Sequence, residues 1–360
     1  MHKEFFIIGT ILIVFGLIVF VSASLGLLGP GKGEPFLWTI AKQLISLGIG
    51  IVFFIFGVKA KYTIWKKYAF LIFLFSYITT LLVFIPGIGL TSGGATRWID
   101  LGLLSFQPAE FLKFGFIVYF AAILSSVKDR AKSLKYGLLP MLIILGFVSA
   151  LLLAQPSTGI LVVIIFSALG MFFISGAKWR HLGMLVLIAL VGLSFLVLTR
   201  PYVKDRFVTF LKPGEANSQA EGYQGRQAII GIGSGGLFGR GFGQSIQKFN
   251  YLPEPIDDSI FAVLAEEFGF IGGTITVFLF LSISILGLKI AASAPDSFSR
   301  LLTSGIVILI AAQSFLNIGA MLGVFPLSGI PILFISRGGS ALMFALLEMG
   351  IILNISKHIR

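Results

Sequence analysis

The feature that most constrains this chain is a series of apolar stretches, each about 20 residues long, recurring from one end of the sequence to the other. A helix rises about 1.5 Å per residue, so one such stretch crosses a hydrocarbon core of about 30 Å while satisfying its own backbone hydrogen bonds. Spans are expected at 5–27, 37–58, 68–86, 107–125, 136–154, 158–175, 181–199, 260–288, 301–322 and 338–356. The pattern predicts an all-α, polytopic integral membrane protein of about ten transmembrane helices. Residues 1–360 form one membrane domain in this reading, with a large extracytoplasmic loop over 200–259 between helices 7 and 8. Only 12% of residues are charged, against about 25% in a soluble domain, so water is not the main solvent.

A formal charge of +12 would suggest nucleic acid in a soluble protein. Here Lys and Arg gather in short loops between spans, so nucleic acid is set aside and membrane lipids are the expected surroundings. Basic residues cluster at Lys59, Lys61, Lys66 and Lys67, at Lys128, Arg130, Lys132 and Lys135, and again at Lys178, Arg180, Lys289, Arg300, Lys357 and Arg360. The short loops on the other side hold only Lys32, Arg97 and Arg337. Both termini are therefore expected in the cytoplasm, in a multi-pass protein of the cytoplasmic membrane. The run 5–27 lacks a small-residue cleavage site and is followed by further spans, so it reads as the first helix rather than a removable signal. With no cysteine, thiol nucleophiles and Cys-based metal sites are excluded. His2, His181 and His358 all fall in expected cytoplasmic segments without metal-ligand spacing.

Ionisable groups in or beside spans are costly to insert and so become functional candidates. Arg97 precedes the fourth span, which opens with Glu110 and Lys113. These last two are three residues apart on one helix face, so they either form an ion pair or turn Lys113, with Arg97, towards an anionic head group. Glu254, Asp257 and Asp258 stand just before the eighth span, where desolvation raises a carboxylate towards a useful general base. Glu266 and Glu267 continue into the same span. Arg337 and Ser340 flank paired glycines at the last span, where a broken helix end has N–H groups to offer an anion. The glycines at 231–243 lack the Lys and strand context of a phosphate loop and read as tight turns. The apolar run 228–232 suggests one short amphipathic or re-entrant helix within the long loop, which also carries Asp205, Arg206, Phe207, Phe210, Pro213, Tyr223, Gln224 and Gln227.

In order along the chain, Gly94-Ala95-Thr96-Arg97-Trp98-Ile99, Phe106 to Lys113, Gln155-Pro156, Gly222-Tyr223-Gln224, Gly239 to Gly243, Tyr251-Leu252-Pro253-Glu254, Asp258 and Gly338-Gly339-Ser340 resemble the FtsW/RodA/SpoVE family, the SEDS peptidoglycan polymerases. Ser245-Ile246-Gln247-Lys248 looks more like the FtsW branch than the RodA branch. The chain departs from the family pattern in having Ile256-Asp257-Asp258-Ser259 for the usual His-Thr-Asp-Phe, Ser157 for an acidic residue, and Arg337 for a Tyr. The resemblance implies an inverting peptidoglycan glycosyltransferase that polymerises lipid II in cell division or cell-shape growth and releases undecaprenyl diphosphate. It places the catalytic base at Asp258, with Asp257 as the neighbouring alternative, and matches Arg97, Glu110 and Lys113 to family positions associated with activity and expected to contact substrate; Glu254, Asp257, Arg337 and Ser340 are further candidate substrate contacts from their own places at the span ends. A divalent cation, Mg2+ or Mn2+, is a further source of positive charge for the leaving group. The implied partner is a class B penicillin-binding protein, an FtsI-like transpeptidase, among other divisome proteins. A lipid II flippase and a non-catalytic division scaffold are the competing expectations.

Overall fold

The computed structural model describes residues 2–29, 35–92, 95–127, 133–211 and 219–359. Lys32, Gly94, Lys128, Arg130, Lys132, Pro213 and Arg360 lie outside the described residues. Every apolar stretch named above is helical. They form α1 (His2–Ser24), α2 (Phe36–Lys59), α4 (Ala69–Leu81), α5 (Pro108–Val127), α6 (Leu139–Ala154), α7 (Thr158–Ile174), α8 (Trp179–Thr199), α11 (Ile260–Ala292), α12 (Ser297–Met321) and α13 (Gly339–Ser356). Eight of the helical segments are long and apolar enough to cross a membrane, and the shorter apolar helices at Ala69–Phe84 and Thr158–Ile174 fill the other two expected positions. A short helix α3 (Tyr62–Lys67) joins α2 to α4, and α9 (Pro201–Leu211) and α10 (Gln219–Ser234) belong to the long loop. The protein is a polytopic all-α membrane protein.

Burial sorts these helices. In α13, 94% of the best apolar window is covered by protein, whereas in α8 only 6% is, so α13 runs through the middle of the bundle and α8 lies at its edge. Contact between α2 and α13 depends on small residues, the usual device where lipid removes the hydrophobic drive between helices. A Cβ on Gly350 would come within 2.4 Å of the Phe54 carbonyl oxygen, so only glycine permits this approach.

Two departures from the sequence expectation matter for the site. Residues 89–106, expected to form a plain loop, fold into a small antiparallel sheet of β1 (Gly89–Ser92), β2 (Ala95–Asp100) and β3 (Ser105–Phe106), in that order. Ala95 and Ile99 are buried, and Arg97 is the extra residue of a bulge in β2, since Thr91 pairs with Thr96 and Leu90 with Trp98. Among the described residues, the long loop holds two helices rather than one. In α9 the polar residues Lys204, Asp205, Arg206 and Thr209 interrupt the apolar ones, so no membrane-length apolar run announces it, and its helicity lies in an amphipathic pattern over 11 residues.

The eighth span is broken. Within α11, Gly269 adopts φ 68 and ψ −165, a region essentially confined to glycine. The glycine-rich turn supplies what the break leaves unpaired: Arg240 N and Gly241 N donate to the carbonyls of Glu266 and Glu267, while Phe270 N and Ile271 N donate to the carbonyls of Gly236 and Leu237. A Cβ on Gly239 would lie 2.1 Å from the Glu267 carbonyl oxygen, so these glycines do provide close backbone approach.

Candidate functional site

The starts of α5, α7, α11 and α13 and the end of α12 meet at one end of the bundle, beside the sheet and α9–α10. Hydrogen bonds tie them together. Gln107 N donates to Ser340 Oγ at 2.9 Å, linking α5 to α13. Asn317 Nδ2, at the end of α12, donates to the backbone oxygens of Asp258 at 2.7 Å and Ile330 at 2.6 Å. Arg337 N donates to the Ile256 carbonyl at 2.8 Å.

The turn before α11 carries the acidic residues. Glu254 takes a left-handed φ of 47, and its carbonyl accepts from Asp257 N and Ser259 N. Its carboxyl is exposed and hydrogen-bonds that of Asp257. Asp257 is gripped by Arg337, whose Nε and Nη2 donate at 2.8 and 2.7 Å. Burial nevertheless pushes Asp257 up to about 7, because desolvation outweighs the opposing pull of the guanidinium. Asp258 faces differently: Gln224 Nε2 of α10 donates to its Oδ1 at 3.1 Å and to Ser259 Oγ at 2.8 Å. Burial pushes Asp258 up to about 6, with Gln224 and Arg206 favouring the charged form and Glu254 opposing it.

Arg97 enters from β2 and donates to the carbonyls of Gln155 at 3.1 Å and Pro156 at 2.5 Å. With Arg206 of α9, it lines a small cleft together with Gln107, Ser157, Thr158, Gly159, Ser328 and Ile330. Burial lowers the pKa of Arg97, and the like charge of Arg206 adds to that effect. Arg206 thus acts electrostatically on both Arg97 and Asp258 and connects the cleft to the acidic turn.

Lys113 does not line this cleft. Its Nζ sits 2.7 Å from Glu110 Oε2, with both side chains only 2% exposed, and it also donates to Gln313 Oε1. Gln313 in turn donates to the Pro331 carbonyl at 3.0 Å. Glu348 of α13, also buried, is within electrostatic range of Lys113 and Glu110. Of the two openings left by the spacing of Glu110 and Lys113, the buried ion pair is the one the structure takes. Glu266 and Glu267 likewise act locally. Glu266 accepts from Ser245 Oγ, Ile246 N and Gln247 N, and Glu267 accepts from Ser22 Oγ and from Lys248 Nζ at 2.6 Å.

The structure brings Arg337, expected as an anion contact at the last span, onto Asp257 beside Glu254 and Asp258, and adds Arg206, Gln224, Asn317, Gln313 and Glu348, which the sequence reading did not single out as site residues. The last three are polar residues inside apolar spans, a signal that the cost of intramembrane polar groups makes visible. Arg206 and Gln224 lie in a polar loop, where nothing in the local pattern separates them from solvated neighbours. Among the described residues, no group of three or more His, Cys, Asp or Glu side chains is arranged to hold a metal ion, so no chemical step below runs through one.

A bundle of membrane-length helices with its polar residues converging at one end, under a sheet and two loop helices, defines a class: polytopic membrane proteins with a site at the membrane surface. The chain belongs to the FtsW/RodA/SpoVE family, described as cell cycle proteins, whose pattern matches residues 2–360. It is 38% identical over 354 residues to the stage V sporulation protein E of Bacillus subtilis, covering 98% of this chain and 96% of that one. It is 37% identical over 350 residues to a probable peptidoglycan glycosyltransferase FtsW of Geobacter sp. strain M18, covering 97% and 95%. Among solved structures, it is similar to a chain of a peptidoglycan synthase complex that coordinates polymerization and crosslinking, with TM-score 0.78 and 26% identity over 96% of this chain and 97% of that one. It is also similar to the Thermus thermophilus rod shape determining protein RodA, with TM-score 0.72 and 25% identity over 99% and 96%.

Proposed function

We propose that this protein is a peptidoglycan glycosyltransferase that polymerises lipid II at the outer face of the cytoplasmic membrane and releases undecaprenyl diphosphate. The observation that carries the mechanism is the contrast within one turn: Asp257 is held by both arms of Arg337, whereas Asp258 accepts from the neutral amide of Gln224. A carboxylate held at about 6 by burial is ionised at neutral pH yet basic enough to accept a proton, as general-base catalysis requires. Asp258 takes the proton of a sugar hydroxyl as its oxygen attacks the anomeric carbon of a second lipid-linked sugar. The bond from that carbon to the diphosphate oxygen breaks, and the electron pair leaves with the diphosphate. A single base opposite the leaving group gives inversion, by analogy with inverting glycosidases. Positive charge in the Arg97 cleft lowers the cost of the charge that develops on the departing group. Glu110 and Lys113 act as positioning residues through the placement of α5, and Arg337 and Ser340 act through the turn before α11 and the start of α13. Both termini lie in the cytoplasm in this reading, which the basic loops support. The partner is a transpeptidase of the class B penicillin-binding type, a proposal supported by the likeness to a chain of a synthase complex.

Labelled lipid II incubated with purified protein and its partner, with transpeptidation blocked, is expected to yield glycan strands. The Asp258→Ala variant is expected to yield none while retaining its melting temperature. Lipid II moved across vesicle membranes without strand formation would replace polymerisation with transport.

A further inference from the structure

Between α12 and α13, residues 326–332 run without helix or strand, although Ile330 and Ile332 are buried. Backbone carbonyls in such a stretch have no ladder to join and must find partners elsewhere. Two amides on one face of α12, Gln313 and Asn317, supply them one turn apart. Gln313 Nε2 donates to the Pro331 carbonyl at 3.0 Å, and Asn317 Nδ2 donates to the Ile330 carbonyl at 2.6 Å. Asn317 has a second task. The same nitrogen donates to the Asp258 carbonyl at 2.7 Å, so both of its hydrogens are used. The first turn of α11 does not engage that carbonyl, because Ser259 is the N-cap and Ala262 N donates to the Ser259 carbonyl. Asn317 Oδ1, in contrast, is buried with no hydrogen-bond partner among the described residues. A side chain only 1% exposed within a span, with its acceptor unused, is costly to keep for packing alone. Its value lies in the two bonds that its nitrogen makes.

We propose that Asn317 is a positioning residue for the reaction: its amide pins the backbone of Asp258 to Ile330, in the wall of the Arg97 cleft, and so fixes where the Asp258 carboxylate stands. Ile330 lines that cleft, and the carboxylate meets Gln224 of α10. One nitrogen therefore joins the turn before α11 to the segment before α13, two stretches that no helix or sheet bond holds together. A misplacement of about 1 Å costs about a hundredfold in rate even when every reacting group is present. Loss of the amide acts on the base in two ways of one sign. The contact with Gln224 loosens, and an unpaired carbonyl oxygen is left beside the carboxylate; both disfavour the anion. Glu254 and Arg206, the charged groups that act on Asp258, are left in place. The role rests on the glycosyltransferase reading with Asp258 as base, whereas the pinning of the turn stands on the two bonds.

The full chain with its partner in nanodiscs is assayed across pH for strand formation from labelled lipid II, as wild type, Asn317→Leu, Asn317→Ser and Gln313→Leu. Asn317→Leu keeps the bulk and removes both bonds. Its kcat, corrected for the folded fraction, is expected to fall by about ten- to a hundredfold, with the acid limb moved to higher pH. Asn317→Ser leaves room for a water and is expected to change both in the same direction by less; it decides the question if Asn317→Leu does not fold. Gln313→Leu loosens the same segment without touching Asp258, so its acid limb is expected to stay at the wild-type position. That contrast separates placement of the base from a general loss of packing. Amide hydrogen exchange read by mass spectrometry needs no turnover, and exchange over 254–262 is expected to quicken in the Asn317 variants and not in Gln313→Leu. An acid limb unmoved in a folded Asn317 variant, or moved as far in Gln313→Leu, overturns the proposal. If wild type forms no strands yet exchange over 254–262 depends on Asn317, the pin stands and the glycosyltransferase reading falls. If strands form and neither the limb nor the exchange responds to Asn317, the pin falls and the reading stands.

Discussion

Two pairs of adjacent carboxylates, Asp257–Asp258 and Glu266–Glu267, stand nine residues apart in the chain and have opposite fates. Glu266 and Glu267 take donors from the loop that folds over them, and each has a cation, Arg240 for Glu266 and Lys248 for Glu267. They hold the glycine-rich turn against the break in α11. In the upstream pair, Asp257 has a cation at hydrogen-bond distance in Arg337. Asp258 has one neutral side-chain donor and remains partly accessible. Carboxylates near a membrane boundary therefore cannot be assigned by type or position. Donor supply separates the structural pair from the reactive one: the carboxylates of Glu266 and Glu267 are committed to holding the turn, whereas Asp258 is left free to meet a substrate.

This contrast can be broken from either side. The largest effect is expected from Asp258→Asn, which keeps shape and removes the base. Lipid II turnover should fall by about 10²–10⁴ with no shift in thermal unfolding, and a turnover within a few-fold of wild type would move the base elsewhere. Glu267→Gln should do the reverse. It strands Lys248 in a buried setting and should cost about 3–5 kcal/mol of stability, read as a lowered melting temperature in nanodiscs. Gly269→Ala forces a side chain into a backbone region that only glycine favours, with the new Cβ 2.3 Å from Gly239 N. A loss of at least about 1–3 kcal/mol is expected there. Asp257→Asn weakens the grip of Arg337 without removing the base, so turnover should drop by less than about tenfold. A deeper loss than in Asp258→Asn would exchange the roles of the two residues.

Much of this was legible beforehand. Each of the ten spans is a run of apolar residues whose length is set by the bilayer, and such a signal survives without any tertiary information. Asp258 was legible for a related reason, because a carboxylate at the mouth of an apolar helix is conspicuous. The sheet at 89–106 was not, since strands of four, six and two residues are too short to display a period. The bulge that sets Arg97 apart from its neighbours in β2 was equally hidden. Arg206 escaped notice because its importance comes from where α9 lies, next to a cleft whose other walls come from β2, α7 and residues 328–330. For Lys113 the spacing to Glu110 left an ion pair and an anion contact both open, and only the packed bundle shows the pair formed.

The most direct measurement is the pH dependence of kcat/KM for lipid II polymerisation, which reports ionisations of the free enzyme. Activity requires Asp258 in its anionic form, so the rate should be level above neutrality and fall through an acid limb near pH 6, where the residue takes up its proton. Gln224→Leu removes a bond that favours the anion, so the limb should move to higher pH, while Asp257→Asn should leave an acid limb in place. A limb that disappears in Asp257→Asn, or one that Gln224→Leu does not move, would contradict the assignment of Asp258 as the base.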